Sequence, residues 1–133
     1  MAGAVAHGAA IRAAEVLGAD LAYVGTRFIA TREASAPSEY KAMLATSGAA
    51  DLVYAAFGRA PASWLKHSLD RAGVAVNEPL PDSVRPWRDI WSAGQGVELI
   101  DGIPPAADVI GKLKREYVDA CARPDHADRA RAL

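Results

Sequence analysis

The stretch ADLAYVGTRFIATRE, residues 19–33, runs from a short apolar segment into Gly25-Thr26 and then into a charged turn. Leu21-Ala22-Tyr23-Val24 is too short for a helix, and a closing glycine is the punctuation that ends a strand. Upstream, Ile11, Ala14 and Leu17 recur at helical spacing and stop at Gly18. Before them, Ala4 to Ala6 make another short apolar run, closed by His7-Gly8. Strand, helix and strand in that order predict a βαβ unit. A helix of this length returns the chain to begin its second strand parallel to the first.

Further along, Ser38 reads as an N-cap, with Glu39 in the first turn, Tyr40, Met43 and Leu44 on one face and Gly48 as the stop. DLVYAAFGRAPASW (51–64) reads as an extended or irregular apolar piece. Pro61 then stands at a first helical position, followed by Trp64, Leu65, Leu69 and Ala72 up to Gly73, which predicts a third helix. Prolines 79, 81 and 86 leave no regular element over 74–86. PWRDIWSAGQGVELI (86–100) reads as one helical turn carrying Trp87 and Trp91, then a loop at Gly94-Gln95-Gly96. From Pro104 onward, Ala106, Val109, Ile110, Leu113, Tyr117, Ala120 and Cys121 form an amphipathic stripe, the closing helix. The domain is expected over 1–122, with a polar, frayed tail over 123–133 that breaks at Pro124. No internal repeat is present.

The chain has 133 residues, 51% of them hydrophobic and 23% charged, a globular balance for one domain. Alanine inflates the hydrophobic share, so the core is expected to be thin. A net charge of -1 with no basic block gives a nucleic-acid partner no footing. Lone Cys121 has no disulfide or zinc partner, which suits a reducing compartment, the cytoplasm. The first 25 residues lack a basic start and are interrupted by His7, Arg12, Glu15 and Asp20, so neither a signal peptide nor a membrane span is expected. An apolar run so near the initiator reads as a chain that begins in mid-fold. Two clear parallel strands also fall short of the roughly four that an open sheet needs and of the eight in a barrel of about 250 residues.

In an eight-stranded βα barrel, ligands sit at the C-terminal ends of the strands, and the last two βα loops commonly hold a phosphate. A monophosphate fits between the turn at Ala2-Gly3 and the turn at Gly25-Thr26. Glycine lets backbone N–H groups approach an anion, the following helix adds its positive end, and Thr26 adds a hydroxyl. Glycine at a strand-to-helix turn is also ordinary structural punctuation, and spacing alone leaves both readings open.

GAVAHGAAIRAAEVLGADLAYVGTRFIATREA, YKAMLATSGAADLVY, GRAPASWL and PWRDIWSAGQGVELIDGIPP together resemble the C-terminal part of the nitronate monooxygenase family, formerly called 2-nitropropane dioxygenases. The resemblance covers residues 2 to about 118. It implies an α/β fold: a partial FMN-dependent TIM (βα) barrel, its last one or two βα units followed by C-terminal covering helices. The implied activity is oxidation of alkyl nitronates by molecular oxygen to a carbonyl compound and nitrite. FMN-phosphate contacts would fall on backbone groups at Ala2 and Gly3 and on Gly25 and Thr26, and Ala4 stands where the family more often has a second glycine.

The strands that cradle the flavin ring, and the family's usual catalytic histidine, would lie upstream. His7, His67 and His126 do not match that histidine, so no catalytic base and no metal ligand is assigned. His7 reads as a helix-start residue, and His67 and His126 as solvated. Arg27 either pairs with the phosphate or forms an ion pair with Glu33. Gln95 either approaches the flavin mouth or is an exposed turn residue. Trp87, Trp91 and Tyr117 read as packing aromatics and Cys121 as a small hydrophobe. Two alternatives remain. One is the sister FMN-dependent enoyl-acyl carrier protein reductase, which needs reduced nicotinamide. The other is a noncatalytic truncated fragment, associating with itself or with a partner that supplies the missing strands.

Overall fold

The computed structural model describes residues 1–57, 61–76, 78–123 and 131. The polar tail expected from 123 lies almost wholly outside these residues, as does His126. Helix α1 spans Gly8–Val16, α2 Thr26–Ile29, α3 Ser38–Thr46, α4 Lys66–Arg71 and α5 Ala106–Cys121. Strands β1 (Leu52–Ala55) and β2 (Ala62–Leu65) form a two-stranded antiparallel sheet, and short 3₁₀ turns occupy Ala49–Asp51 and Gln95–Leu99. This is a partial α/β fold in which helices outweigh strands. Among the described residues no helix is long and apolar enough to cross a membrane.

The expected parallel pairing is present but shorter and earlier than the apolar runs suggest. It consists of one parallel bridge between Ala2 and Tyr23, with the Tyr23 N–H donating to the Met1 carbonyl at 2.8 Å. Residues 4–6 do not form the expected strand because Gly3 and Ala4 take φ of 96° and 53°. Those left-handed angles turn the chain out of an extended path. Leu21 and Tyr23 remain 82% and 75% exposed, unlike strands of a complete parallel sheet, which are covered on both faces.

The third helix begins later than expected. Ala62–Leu65 is strand β2, paired so that Val53 faces Trp64 and Leu52 faces Leu65. Trp64 and Leu65 are both fully buried but point to opposite sides of the sheet, the period of two that defines a strand. Trp64 joins Phe57, Leu69, Val74 and Ile90 on one side. Leu65 joins Tyr40, Leu44, Trp91 and Val97 on the other. A buried tryptophan of this kind is worth about 3–5 kcal/mol against alanine.

Trp87 and Trp91 do not share a helical turn. Residues 91–93 run extended beside β2, where the Leu65 N–H donates to the Trp91 carbonyl at 2.8 Å and the Ala93 N–H to the Ser63 carbonyl at 3.0 Å. Ser68 ties this together, its hydroxyl donating to the Leu65 carbonyl at 2.8 Å and accepting from the Trp91 N–H at 2.9 Å. Smaller differences concern α3, which is capped by Pro37 rather than Ser38 and ends at Thr46, before Gly48.

Helix α5 is the expected closing helix, with Val109 and Leu113 buried. It packs along α1, and Gly8 sets their separation. A Cβ there would fall 2.3 Å from the Tyr117 nitrogen and 2.4 Å from the Leu113 carbonyl oxygen. Gly8→Ala is therefore expected to destabilise the chain by about 2 kcal/mol or more through overpacking, measured as a lowered urea midpoint.

Tyr40 stacks on Trp91 with ring centroids 4.9 Å apart, and its hydroxyl donates to the Ser92 carbonyl. Burial pushes this phenol up to about 12. The folded chain thus holds it neutral, and its contribution is full below about pH 10, the ordinary phenol value, and is lost as pH rises toward 12. Urea melts between pH 9 and about 12 should show this fall, and Tyr40→Phe should flatten it.

Candidate functional site

The Gly3-Ala4 turn, the Gly25-Thr26 turn and the Gly94-Gln95-Gly96 loop enclose a cavity of about 150 Å³. Gly3, Gly25 and Thr26 stand on its wall, and Ala2 stands outside it, bridged to Tyr23. The Gly94 N–H donates to Thr26 Oγ1 at 3.0 Å. A hydroxyl that accepts this bond keeps its own proton to donate, and Thr26 stands on the cavity wall. Gly3 needs its left-handed φ. Gly96 is required by close approach, because a Cβ there would come within 2.7 Å of Ala6 Cβ.

The glycines flanking Gln95 are therefore the part of that loop which reaches the cavity. Gln95 itself is exposed. Of the two readings of Gln95 in the sequence, the exposed turn residue is the one the structure shows.

The helix ends do not serve this cavity as expected. The N-terminus of α1 is already occupied, since the Gly8 N–H donates to Glu116 Oε2 at 2.9 Å. His7 caps the helix as anticipated, its Nδ1 accepting from the Ala9 N–H at 3.1 Å, which leaves the ring proton on Nε2, 3.2 Å from Glu116 Oε1. Helix α2 has only four residues and little dipole to offer. The cavity's donors are backbone N–H groups and the Thr26 hydroxyl.

Arg27 turns away from the cavity and does not pair with Glu33. It is buried beside the Gly102 carbonyl oxygen and Asp101. Glu33 instead accepts from the Ala106 N–H at 2.8 Å and so starts α5. Trp91 is a packing residue, with the Arg71 guanidinium 3.7 Å above its ring, while Trp87 is 58% exposed and only leans on Trp64. The Tyr117 hydroxyl donates to Glu15 Oε2 at 2.9 Å, and that hydrogen bond, with Cys121 nearby, pushes the phenol up to about 12. Arg12, and then Tyr117, hold the Glu15 carboxyl below its ordinary range. Cys121 is exposed rather than part of the core, because the apolar stripe of α5 has rotated into solvent by its last turn. His67 is on the surface, 3.7 Å from Asp51. Among the described residues no group of three or more His, Cys, Asp or Glu is placed to hold a metal ion.

A wider opening of about 570 Å³ adjoins the cavity, sharing Tyr23, Gly25, Thr26 and Gly94 and walled by Phe28 and Ile29. A small polar cradle beside a larger apolar space suits a ligand with a phosphate at one end and a ring system at the other.

Solved structures carry this same arrangement of elements. A point variant of FabK from Thermotoga maritima overlays with a TM-score of 0.67 at 27% identity, covering 90% of this chain and 41% of that one. Nitroalkane oxidase from Streptomyces ansochromogenes overlays with a TM-score of 0.63 at 26% identity, covering 90% of this chain and 39% of the other. The chain has a partial βα-barrel fold, as seen in those FabK and nitroalkane oxidase structures. FabK from Thermotoga maritima without that variant gives a TM-score of 0.65 at 24% identity over 98% of this chain and 45% of its own. This chain spans less than half the length of the solved proteins it matches. No family model and no curated protein matches it.

Ala4 holds a left-handed φ of 53° at the edge of the cavity, a conformation that costs a non-glycine residue about 1–2 kcal/mol. Ala4→Gly should relieve it, less about 0.4–1 kcal/mol of added unfolded-state entropy. The expected outcome is a net gain of about 0.5 kcal/mol in a urea melt.

Proposed function

We propose that this chain supplies the FMN-phosphate end of a flavin-dependent oxidoreductase. The observation that carries the reading is Thr26 on the wall of a cavity of monophosphate size, its hydroxyl accepting from the Gly94 N–H and so keeping one proton available to a ligand. Gly3, Gly25 and Thr26 would hold the phosphate, Ala2 would keep the first turn in register through its bridge to Tyr23, and Phe28 and Ile29 would face the apolar remainder. Bound FMN supplies the redox chemistry, and these residues bind and orient it. No base on this chain is assigned to the reaction. A cytoplasmic setting, inferred from lone Cys121, belongs to the same reading.

Of the two chemistries, the enoyl-acyl carrier protein reductase alternative has better support than nitronate oxidation by oxygen, because the FabK structures give the higher TM-scores of those compared. The substrate is then an enoyl thioester and the electron donor a reduced nicotinamide. The rest of the barrel would come from a further polypeptide segment, and a chain that binds FMN yet turns over neither substrate would be the noncatalytic fragment.

Titration of the chain with FMN, followed by flavin absorbance and fluorescence, tests the phosphate grip. Saturable binding is expected, weakened about tenfold by Thr26→Ala and retained by Thr26→Ser, since a hydrogen bond to a charged group is worth about 1.5–3 kcal/mol. Absent binding, or binding indifferent to Thr26, refutes the reading. With FMN bound, NADPH consumption on an enoyl thioester distinguishes the reductase from oxygen uptake on a nitronate.

A further inference from the structure

Behind the cradle lies a second enclosed cavity of about 150 Å³, between α1, α2 and α5. That is several times the roughly 30 Å³ share of one liquid water. Its polar wall consists of Arg27, His7, Lys112 and Glu116. It meets the cradle at Ala6, which lines both, and through the adjacent residues Thr26 and Arg27.

Arg27 is 4% exposed and carries five N–H donors. Among the described residues its polar partners are the Gly102 carbonyl oxygen at 3.4 Å and Asp101 Oδ1 at 3.8 Å, both long contacts. Lys112 Nζ lies 3.6 Å from Asp101 Oδ2, and the Asp101 side chain is 75% exposed, so water solvates it and weakens its hold on either cation. Glu116, the carboxylate on the wall, is engaged on both oxygens by the Gly8 N–H and His7 Nε2. Two cationic side chains, Arg27 and Lys112, therefore face the cavity beside one already engaged carboxylate, and the charge that balances them, Asp101, lies outside its wall and in solvent. No Arg27 nitrogen is both shut off from solvent and without a partner, so the N–H groups that Gly102 and Asp101 leave open are ones water reaches and an anion would take over.

We propose that this cavity binds a small oxyanion, held by the Arg27 fork and the Lys112 ammonium. Leu99, Val109 and Leu113 close its sides and restrict it to compact ions, a short carboxylate or an inorganic oxyanion. Asp101, exposed and loosely held, moves out to solvent when the ion enters. The site does not depend on FMN and is separate from the cradle.

The test is a sulfate titration of the full 133-residue chain at constant ionic strength in chloride, followed by the NMR signals of the Arg27 side chain and of residues 112–116. Saturable shifts there are expected, weakened about tenfold by Lys112→Met and weakened also by Arg27→Lys, which keeps the charge and loses the fork. Lys112 is half exposed, so its variant decides the matter even where the Arg27 variant fails to fold. Shifts that do not saturate, that persist at equal strength in Lys112→Met, or that are confined to Gly3, Gly25 and Thr26 and vanish in Thr26→Ala, each overturn the proposal. A parallel titration with acetate distinguishes a carboxylate from an inorganic ion as the preferred form.

Discussion

The hydrogen bond from the Gly94 N–H to the Thr26 hydroxyl joins two parts of the chain that are 68 residues apart. On one side of it stands the short βα piece at the start of the chain, and on the other the loop that follows the hairpin. The third wall of the cavity is Gly94 and Gly96, set against Thr26 by this bond and against Ala4 and Ala6 by close approach. The same hydroxyl that closes the wall is left as a donor, so one side chain serves both architecture and recognition. Small residues do the rest. A methyl group at Gly96 would collide with Ala6, and one at Gly8 would hold α1 away from α5.

The frame behind that contact is a hairpin with a core on each face. Leu65 and Trp64 send adjacent side chains in opposite directions, so a four-residue strand serves two apolar clusters at once. This economy suits a chain rich in alanine. Large side chains are few, and they are concentrated where a strand, α3, α4 and the 91–93 segment converge. Ser68 supplies the polar link there, satisfying a carbonyl and an N–H that would otherwise be buried unpaired.

The parts of the fold most legible in the sequence were those with long periodic patterns. Helix α5 was plain from Val109, Ile110 and Leu113, and α1 from Ile11 and Ala14. The strand at Ala62–Leu65 was hidden because Trp64, Leu65 and Leu69 also fit a helical spacing, and four residues are too few to separate the two periods. The left-handed turn at Gly3-Ala4 was half legible: the glycine announced it, but an alanine at φ 53° gives no sign in the sequence. At the candidate site, Gly25 and Thr26 were visible as a turn and a hydroxyl. The occupation of the α1 N-terminus by Glu116 was not, since it depends on a residue 108 positions away. Arg27 was visible as a charge, but its direction is set by α2, whose single turn carries it to the side opposite Thr26.

That distance between Gly8 and Glu116 also fixes an order of assembly. Helix α1 can form as soon as its residues are made, but its docking surface on α5 follows later, with Glu116 108 positions beyond Gly8. Contacts so distant in sequence close late and slowly. Until they do, Gly8 and Ala14 stay uncovered and the α1 N-terminus lacks the Glu116 carboxylate. The N-terminal piece is therefore the segment of a nascent chain most in need of shielding, and the completion of α5 is the event that ends its exposure.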